Sequence, residues 1–256
     1  MENRKKGTYY IGTSGVGVMG NKDRFPEEFK QKTKLCYYSE VFNTVEVNST
    51  HYKIPRIATF ERWSSEVRQD FRFTLKLWRE VTHAKELKME LSHIDLFFNA
   101  AKHIGKKKAC LLVQFPGKIS LDYYSHVEQI LEHISELNEG EQWKIAVEFR
   151  NTSWQESETY ELLKEHESAL VLHDHPKWRD FEFYTETNFV YYRFHGPAGD
   201  YKGSYNFDFL LSKADDINRL LEKGKDVYVY FNNTAGDAFT NAITLKEMIG
   251  NNNQRM

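Results

Sequence analysis

The sequence has little cysteine and no long hydrophobic run. Its 256 residues contain 2 cysteines, Cys36 and Cys110, and neither belongs to a C-x-x-C pair, which excludes a disulfide-rich scaffold. Both lie in apolar surroundings, so we expect buried free thiols in a reducing compartment. No segment approaches the ~18 apolar residues of a membrane-spanning helix, and the charged N-terminal segment lacks the apolar stretch of a signal peptide. We therefore expect a cytoplasmic protein.

An excess of charge of either sign is also missing. The chain carries 35 Lys and Arg against 37 Asp and Glu, a formal net charge of −2. This balance gives no reason to expect a protein that wraps nucleic acid, although it allows a local basic cleft. With 40% hydrophobic residues, global disorder is excluded. No Pro-, Ser- or Gly-rich linker divides the chain, so we expect one domain over residues 1–250 and a disordered polar tail over 251–256.

Eight short β-rich runs alternate with helical patterns along the chain, and several are apolar nearly throughout, as in strands covered on both faces. This alternation predicts an α/β fold, a (β/α)8 TIM-barrel-like domain, with a doubly wound open sheet as the alternative. Residues 175–188 show no clean helical pattern, so we expect an irregular connection between strands six and seven. The predicted strands are Tyr9–Thr13, Thr44–Val47, Arg72–Leu77, Ala109–Phe115, Ile145–Phe149, Ala169–Leu172, Phe189–Phe194 and Val227–Phe231.

Polar residues gather at the C-terminal ends of these strands, where both folds place their functional sites. Successive strand residues point to opposite faces, so Glu148 and Arg150 share one face while Val147 and Phe149 share the other. We expect the apolar set to face the helices and the polar set to face the mouth of the barrel. The polar set is Glu46, Asn48, Thr74, Lys76, Gln114, Glu148, Arg150, His173, Asp174, Arg193, His195, Asn232 and Asn233.

The cations of this set suit a phosphate or a carboxylate, and its acids and imidazoles suit proton transfer. We predict Glu148 as general base or acid, His195 as its partner and Asp174 as the group that orients an imidazole. The predicted substrate-binding residues are Glu46, Asn48, Lys76, Gln114, Arg150, Arg193 and Asn232. In the alternative interpretation, Glu148–Arg193 or Glu46–Arg150 simply satisfy one another as buried ion pairs.

Three further features have two interpretations each. The acids and histidines of the mouth could hold a divalent metal, but no HExxH or CxxC spacing supports one, and the cofactor stays unknown. The backbone amides of the turn at 12–15 could cradle an anion, or its glycines could serve only a tight turn. The loop aromatics could stack on a planar ring, a sugar or a base or pack within their loops; they are Trp78, Trp178, Tyr201 and Tyr205.

Eight segments, taken in order, resemble the DUF72, or YecE-like, proteins from about residue 10 to residue 245: IGTSG (11–15), VFNTVEVNSTHYKIP (41–55), FRFTLKLWREVTH (71–83), LLVQFP (111–116), AVEFRNTSW (146–154), VLHDHP (171–176), YYRFHG (191–196) and YVYFNNTAGDAFTNA (228–242). The resemblance implies a TIM-barrel-like fold and no established activity. A similarity of such barrels to endonuclease IV is a fold-level analogy. The chain departs from the family pattern at Val16, where an aromatic is usual, at His51, where Phe is usual, and at Gly117, where Pro is usual.

The residues that match the family motifs coincide largely with the strand-end set. They are Glu46, Asn48, Lys76, Arg79, Thr82, His83, Gln114, Glu148, Arg150, Asp174, Arg193, His195, Gly196, Asn232 and Asn233.

Three functions are compatible with this pattern. The first is an enzyme, a hydrolase, lyase or isomerase, that binds a small anionic or phosphorylated substrate at the mouth and uses Glu and His for acid–base chemistry. The second is a nucleic-acid-binding or phosphoester-processing barrel, whose binding would depend on salt. The third is a ligand-binding protein without catalysis. The sequence names neither the substrate nor the oligomeric state, and it predicts no membrane partner.

Overall fold

The computed structural model describes residues 5–17, 25–176, 178 and 186–252. Eight strands lie within these ranges: β1 (Tyr9–Thr13), β2 (Thr44–Val47), β3 (Arg72–Lys76), β4 (Lys108–Phe115), β5 (Lys144–Phe149), β6 (Ala169–His173), β7 (Phe189–Phe194) and β8 (Asp226–Phe231). Each agrees with the predicted strand to within one residue at either end.

Helices connect most of these strands. Those in the described part of the chain are α1 (Lys34–Val41), α2 (Ser49–Tyr52), α3 (Ile57–Glu66), α4 (Arg79–Thr82), α5 (Ser92–Ala101), α6 (Tyr124–Asn138), α7 (Ser157–Glu165), α8 (Phe207–Glu222) and α9 (Ala238–Asn252). The last helix extends two residues beyond the predicted domain boundary at 250, and residues 253–256 lie outside the described ranges. The predicted irregular connection at 175–188 also falls largely outside them. Among the described helices, none is long and apolar enough to cross a membrane.

The strands form a nearly closed parallel barrel. The order β1-β8-β7-β6-β5-β4-β3-β2 follows the chain around the sheet, and every pairing is parallel. A parallel bridge between Ser14, just after β1, and Glu46 on β2 links the two ends. A doubly wound sheet would reverse its strand order near the middle. The predicted TIM-barrel fold is therefore confirmed and the open-sheet alternative is wrong.

The alternation of side chains along the strands divides the core in two. Val147 and Phe149 belong to the large cluster that also contains the buried residues of the helices. Ala146, two residues before Glu148, belongs to a separate cluster on the inward face. That inner cluster consists of Ala109, Cys110, Leu112, Ala146, Ala169, Val171, Phe189, Tyr191, Tyr228 and Tyr230. The barrel is thus filled below its mouth, and the polar residues form the layer above.

The two cysteines are both free thiols, as expected, but only one is buried. Cys110 lies within the barrel, whereas Cys36 on α1 is half-buried. Cys36 is the third residue of α1 and its amide is capped by Thr33, so the start of the helix leaves it partly accessible.

Candidate active site at the barrel mouth

The strand register brings the predicted polar residues together at one end of the barrel. Gln114 on β4 is paired with Glu148 on β5, and His173 on β6 is paired with Arg193 on β7. Most of these side chains are buried, and Glu46, Glu148 and His195 have no exposed surface. The alternation of side chains along the strands therefore placed these residues correctly at the mouth. Their individual contacts determine what each of them can do.

Glu46 and Arg193 form a buried ion pair across the barrel. Arg193 Nη2 donates to Glu46 Oε1 at 2.9 Å, and its Nε donates to Oε2 at 3.0 Å. The hydroxyl of Tyr191 donates to the same carboxylate at 2.5 Å. Such forked contacts are the strong form of the guanidinium–carboxylate pair. Both groups are therefore satisfied without a ligand.

Glu148 is held by two guanidinium groups. Arg193 Nη1 donates to its Oε2 at 3.2 Å, and Arg150 Nε donates to its Oε1. Burial alone would raise the pKa of Glu148, but Arg150 and Arg193 hold that pKa well below its usual range. The expected Glu148–Arg193 pair is confirmed, whereas Glu46 pairs with Arg193 rather than with Arg150. Because both oxygens of Glu148 are engaged and its pKa is low, it is a weak general base.

His195 is a neutral imidazole with both nitrogens engaged. Arg150 Nη2 lies 2.9 Å from its Nε2, and since a guanidinium can only donate, Nε2 carries the lone pair. Asn232 Nδ2 lies 3.0 Å from its Nδ1. Since a neutral imidazole that accepts at Nε2 carries its proton on Nδ1, the Asn232 amide has to turn its oxygen toward Nδ1 to accept that proton. Burial and the charge of Arg193 lower the pKa of His195 strongly. The predicted role of His195 as an acid–base partner of Glu148 is not what this geometry favours.

Asp174 anchors the turn after β7. Its Oδ1 accepts from the backbone N–H of His195 at 2.7 Å, and its Oδ2 accepts from the hydroxyl of Tyr205. That hydroxyl in turn accepts from the amide of Gly196 at 2.6 Å. Burial raises the pKa of Asp174 against these hydrogen bonds. Asp174 thus contacts the main chain of His195 rather than its ring, and its role in orienting an imidazole stays a prediction.

Lys76 differs from these groups because its charge is not paired. The residue is 9% exposed and lies at the end of β3, on the inward face shared with Thr74. Within the described residues its ammonium group makes no hydrogen bond or ion pair, whereas the carboxylates of Glu46 and Glu148 are both bound to arginine. Burial and the charge of Arg193 lower the pKa of Lys76 to about 8. The mouth therefore contains one buried cation without a counter-ion among those residues.

Two unsatisfied polar atoms lie just beyond the ends of β1 and β2. Ser14 Oγ and Asn48 Oδ1 are buried and have no hydrogen-bond partner among the described residues. Ser14 bridges to β2, and Asn48 follows Val47, which is paired with Leu75 on β3. Asn48 therefore sits beside Lys76 on the neighbouring strand. Buried polar atoms are nearly always paired, so Ser14 Oγ and Asn48 Oδ1 are exceptions to that pattern at this end of the barrel.

Two histidines border the same region. His51 Nδ1 donates to the carbonyl oxygen of Leu77 at 3.0 Å, which leaves the lone pair on Nε2. Its ring meets that of His83 at 4.7 Å. Burial and the charge of Lys76 lower the pKa of His51 to about 4, and burial and His51 lower that of His83 to about 3. We call Ser14, Asn48, His51, Lys76 and His83 the β1–β3 arc.

The turn after β1 is a tight turn and its first amides are occupied. The amides of Ser14 and Gly15 donate to the carbonyl oxygens of Phe231 and Glu46 at 3.0 and 2.7 Å. A Cβ at Gly12 would lie 2.2 Å from the carbonyl oxygen of Thr44, so glycine is needed there for packing. Of the two interpretations of this turn, the structural one is favoured.

Most of the loop aromatics pack against neighbouring side chains of the protein. Tyr205 is buried, and so is Trp178, whose ring lies 5.0 Å from that of His173. Trp78 contacts His93 at 5.2 Å. Tyr201 is 43% exposed and is the member of this set most open to a ligand. In the described part of the chain, no group of three or more His, Cys, Asp or Glu side chains could hold a metal ion.

Some residues of the site were missed by the sequence analysis. Tyr191 shares the parity of Arg193, so the alternation argument could have found it. Ser14 has no such signal, because its role depends on the closure of the barrel between β1 and β2. The contact of Tyr205 with Asp174 joins residues 31 positions apart through a loop, which strand periodicity does not describe.

Comparisons with known proteins agree with this architecture. Residues 10–256 match the model of the family described as "Protein of unknown function DUF72". The chain is 26% identical to the UPF0759 protein YunF of Bacillus subtilis (strain 168) over 94% of each chain. It superimposes on the structure of a DUF72 family protein from Enterococcus faecalis V583 with a TM-score of 0.80, 23% identity and coverage of 95% of this chain and 96% of that one. A xylose isomerase domain containing protein from Salmonella typhimurium LT2 shares the fold, with a TM-score of 0.54, 10% identity and coverage of 91% and 98%.

Proposed function

The chain belongs to the DUF72 family, and we propose that it is an enzyme that binds a small anionic substrate in the β1–β3 arc, against the ammonium group of Lys76. The observation that supports this most directly is the unpaired charge of that ammonium. Glu46 and Glu148 are bound to Arg193 and Arg150, so a carboxylate or phosphate is the partner that Lys76 lacks. An anionic ligand would supply the charge-assisted hydrogen bond that this ammonium lacks among the described residues.

The proposed proton-transfer group is Lys76 rather than Glu148 or His195. An acid–base group works best when its pKa lies near the working pH. The pKa of Lys76, about 8, meets this condition, whereas that of Glu148 is held well below its usual range. Arg150 retains a role at the rim, since its side chain is 13% exposed and one edge can face a ligand while the other holds Glu148.

The test is calorimetric titration of the full chain with inorganic phosphate, sulfate and acetate, for the wild type and K76M. A hydrogen bond to a charged group contributes about 1.5–3 kcal/mol, so K76M should weaken binding by roughly 10- to 100-fold. The matched control is K106M, because Lys106 is exposed and precedes β4 at the opposite end of the barrel.

Binding of an anion that K76M weakens and K106M does not would support the proposal. Absence of binding for all three anions, or equal affinity in the wild type and K76M, would overturn it. Because Trp178 and Tyr205 are buried, the loops offer few aromatic faces for bases, and nucleic-acid binding is the less favoured function. Affinity for a DNA oligonucleotide that falls steeply with salt would reverse that preference.

A further inference from the structure

We propose that Tyr201 is a specificity-determining residue that stacks on a planar ring of the substrate, so that the ligand of the mouth carries such a ring beside its anionic group. This rests on the proposed function, because it concerns the anionic ligand of the same mouth. It goes further by naming the second part of that ligand and the residue that selects it. The backbone of Tyr201, its exposure and its neighbours support the assignment.

The backbone of Tyr201 is strained and held in place by hydrogen bonds. Its φ is +66°, in the left-handed region that costs free energy for a residue with a Cβ. Its amide donates to the carbonyl oxygen of His195 at 2.8 Å, and its own carbonyl oxygen accepts from the amide of Ala235 at 3.1 Å. These bonds tie Tyr201 to the segments that follow β7 and β8. Strain that is maintained by surrounding contacts is concentrated at functional sites.

The main chain on either side of Tyr201 is closely packed. A Cβ at Gly199 would lie 2.2 Å from Cδ of Pro176, and a Cβ at Gly236 would lie 2.4 Å from the carbonyl oxygen of Gly203. That oxygen also accepts from the side-chain amide of Asn233 at 3.0 Å. Tyr201 is therefore presented by a rigid support, which a residue that positions a ligand requires.

The side chain of Tyr201 is open to solvent although its support is rigid. It is 43% exposed, whereas the aromatic side chains of Trp178 and Tyr205 nearby are buried. A fixed backbone combined with an open ring distinguishes Tyr201 from these packing residues. Aromatic rings prefer offset-stacked or edge-to-face contacts with other rings, so the exposed ring of Tyr201 offers a surface for a planar group of a ligand.

Tyr201 and Arg150 border the same imidazole. The ring of Tyr201 lies 5.4 Å from that of His195 and nearly perpendicular to it, at 83°, and Arg150 Nη2 lies 2.9 Å from His195 Nε2. Arg150 binds Glu148 through Nε, while its Nη1 makes no hydrogen bond within the described residues. A guanidinium with free N–H groups binds phosphate or carboxylate. A ligand that contacts both side chains therefore combines a planar ring with an anionic group.

The experiment compares two phosphate esters that differ only in the group attached to the phosphate. Full-length wild-type protein, Y201F and Y201L are titrated calorimetrically with phenyl phosphate and with methyl phosphate. The wild type and Y201F should bind phenyl phosphate about 2- to 10-fold more tightly than methyl phosphate, the range that an aromatic pair contributes. Y201L should lose this preference and keep the affinity for methyl phosphate, because leucine is apolar but has no ring.

The matched control is Y52L, because Tyr52 is a more exposed tyrosine on α2, after β2, and this variant should keep the wild-type preference. An equal preference in the wild type and Y201L, or its loss in Y52L instead, would overturn the assignment of Tyr201. If methyl phosphate binds but the wild type does not prefer phenyl phosphate, only the role of Tyr201 is refuted. If neither ester binds, the proposed function falls with it.

Discussion

The stability of this protein should fall at acid pH, because its buried histidines, above all His195, resist protonation in the folded state. His195 is fully buried and accepts a hydrogen bond from Arg150 at Nε2, so protonation would place two cations against each other. The folded-state pKa of His195 therefore lies well below that of a solvated histidine. In the unfolded chain the imidazole takes up a proton below pH ~6.5.

The sign and size of the effect follow from this difference. Between pH 7 and pH 5 the unfolded state binds a proton at His195 and the folded state does not, so stability falls as the pH falls. For an unfolded pKa near 6.5 the loss over this interval is about 2 kcal/mol per histidine. His173, whose pKa burial lowers to about 4, adds a similar amount.

The measurement is the free energy of urea unfolding, followed by tryptophan fluorescence at several pH values from 7 to 5, for the wild type and H195Q. Glutamine can keep the contacts with Arg150 and Asn232 without titrating. The loss of stability should therefore be about 2 kcal/mol smaller in H195Q than in the wild type, whatever the offset at pH 7. H126Q is the control, since His126 is exposed on α6, and it should follow the wild type.

An equal loss in the wild type and H195Q would refute this reasoning. It would mean that His195 gains its proton in the folded protein within this pH range. The imidazole would then be free to act as a general acid near neutral pH, and the role inferred for Glu148 and His195 from the sequence would return.

Three further substitutions test the contacts of the mouth by the same unfolding measurement. E46Q leaves Arg193, 3% exposed, without its main partner and should cost about 3–5 kcal/mol; a loss below about 1 kcal/mol would show that the pair is not structural. Y205F removes the hydroxyl that binds the Gly196 amide at 2.6 Å and should cost about 1–3 kcal/mol, with an unchanged stability contradicting the anchoring role. G196A combines a φ of +98° with a Cβ placed 2.2 Å from the carbonyl oxygen of Lys202; it should lose at least about 1 kcal/mol, and a neutral result would mean that this turn relaxes freely.

The fold and the location of the site followed from local patterns. The alternation of Glu148 and Arg150 with Val147 and Phe149 is a property of any strand, and it sorted the side chains correctly. The parallel order then required the polar ends of all the strands to meet at one mouth.

The pairing within the mouth could not be predicted in this way. The alternation along each strand predicts that four charged residues share the inward face: Glu46, Glu148, Arg150 and Arg193. The distances across the barrel determine which carboxylate binds which guanidinium. The protonation state of His195 likewise depends on its contact with a residue 45 positions away. Neither the ion pairing nor the protonation state of His195 can be predicted from the periodicity of the sequence.

The structure separates the three predicted cations: Arg193 and Arg150 are bound to carboxylates, whereas Lys76 has no ion pair among the described residues. For Arg193 to bind a substrate anion, it would have to release a carboxylate that has no exposed surface, and breaking such a buried pair costs about 3–5 kcal/mol. Lys76 can offer its charge without breaking any contact of the described residues. In the proposed function an anion would therefore gain most beside Lys76, while the paired charges of β5 and β7 would stay in place. The proposal thus assigns anion binding and barrel stability to different residues of the mouth, so we expect K76M to affect binding and E46Q to affect unfolding.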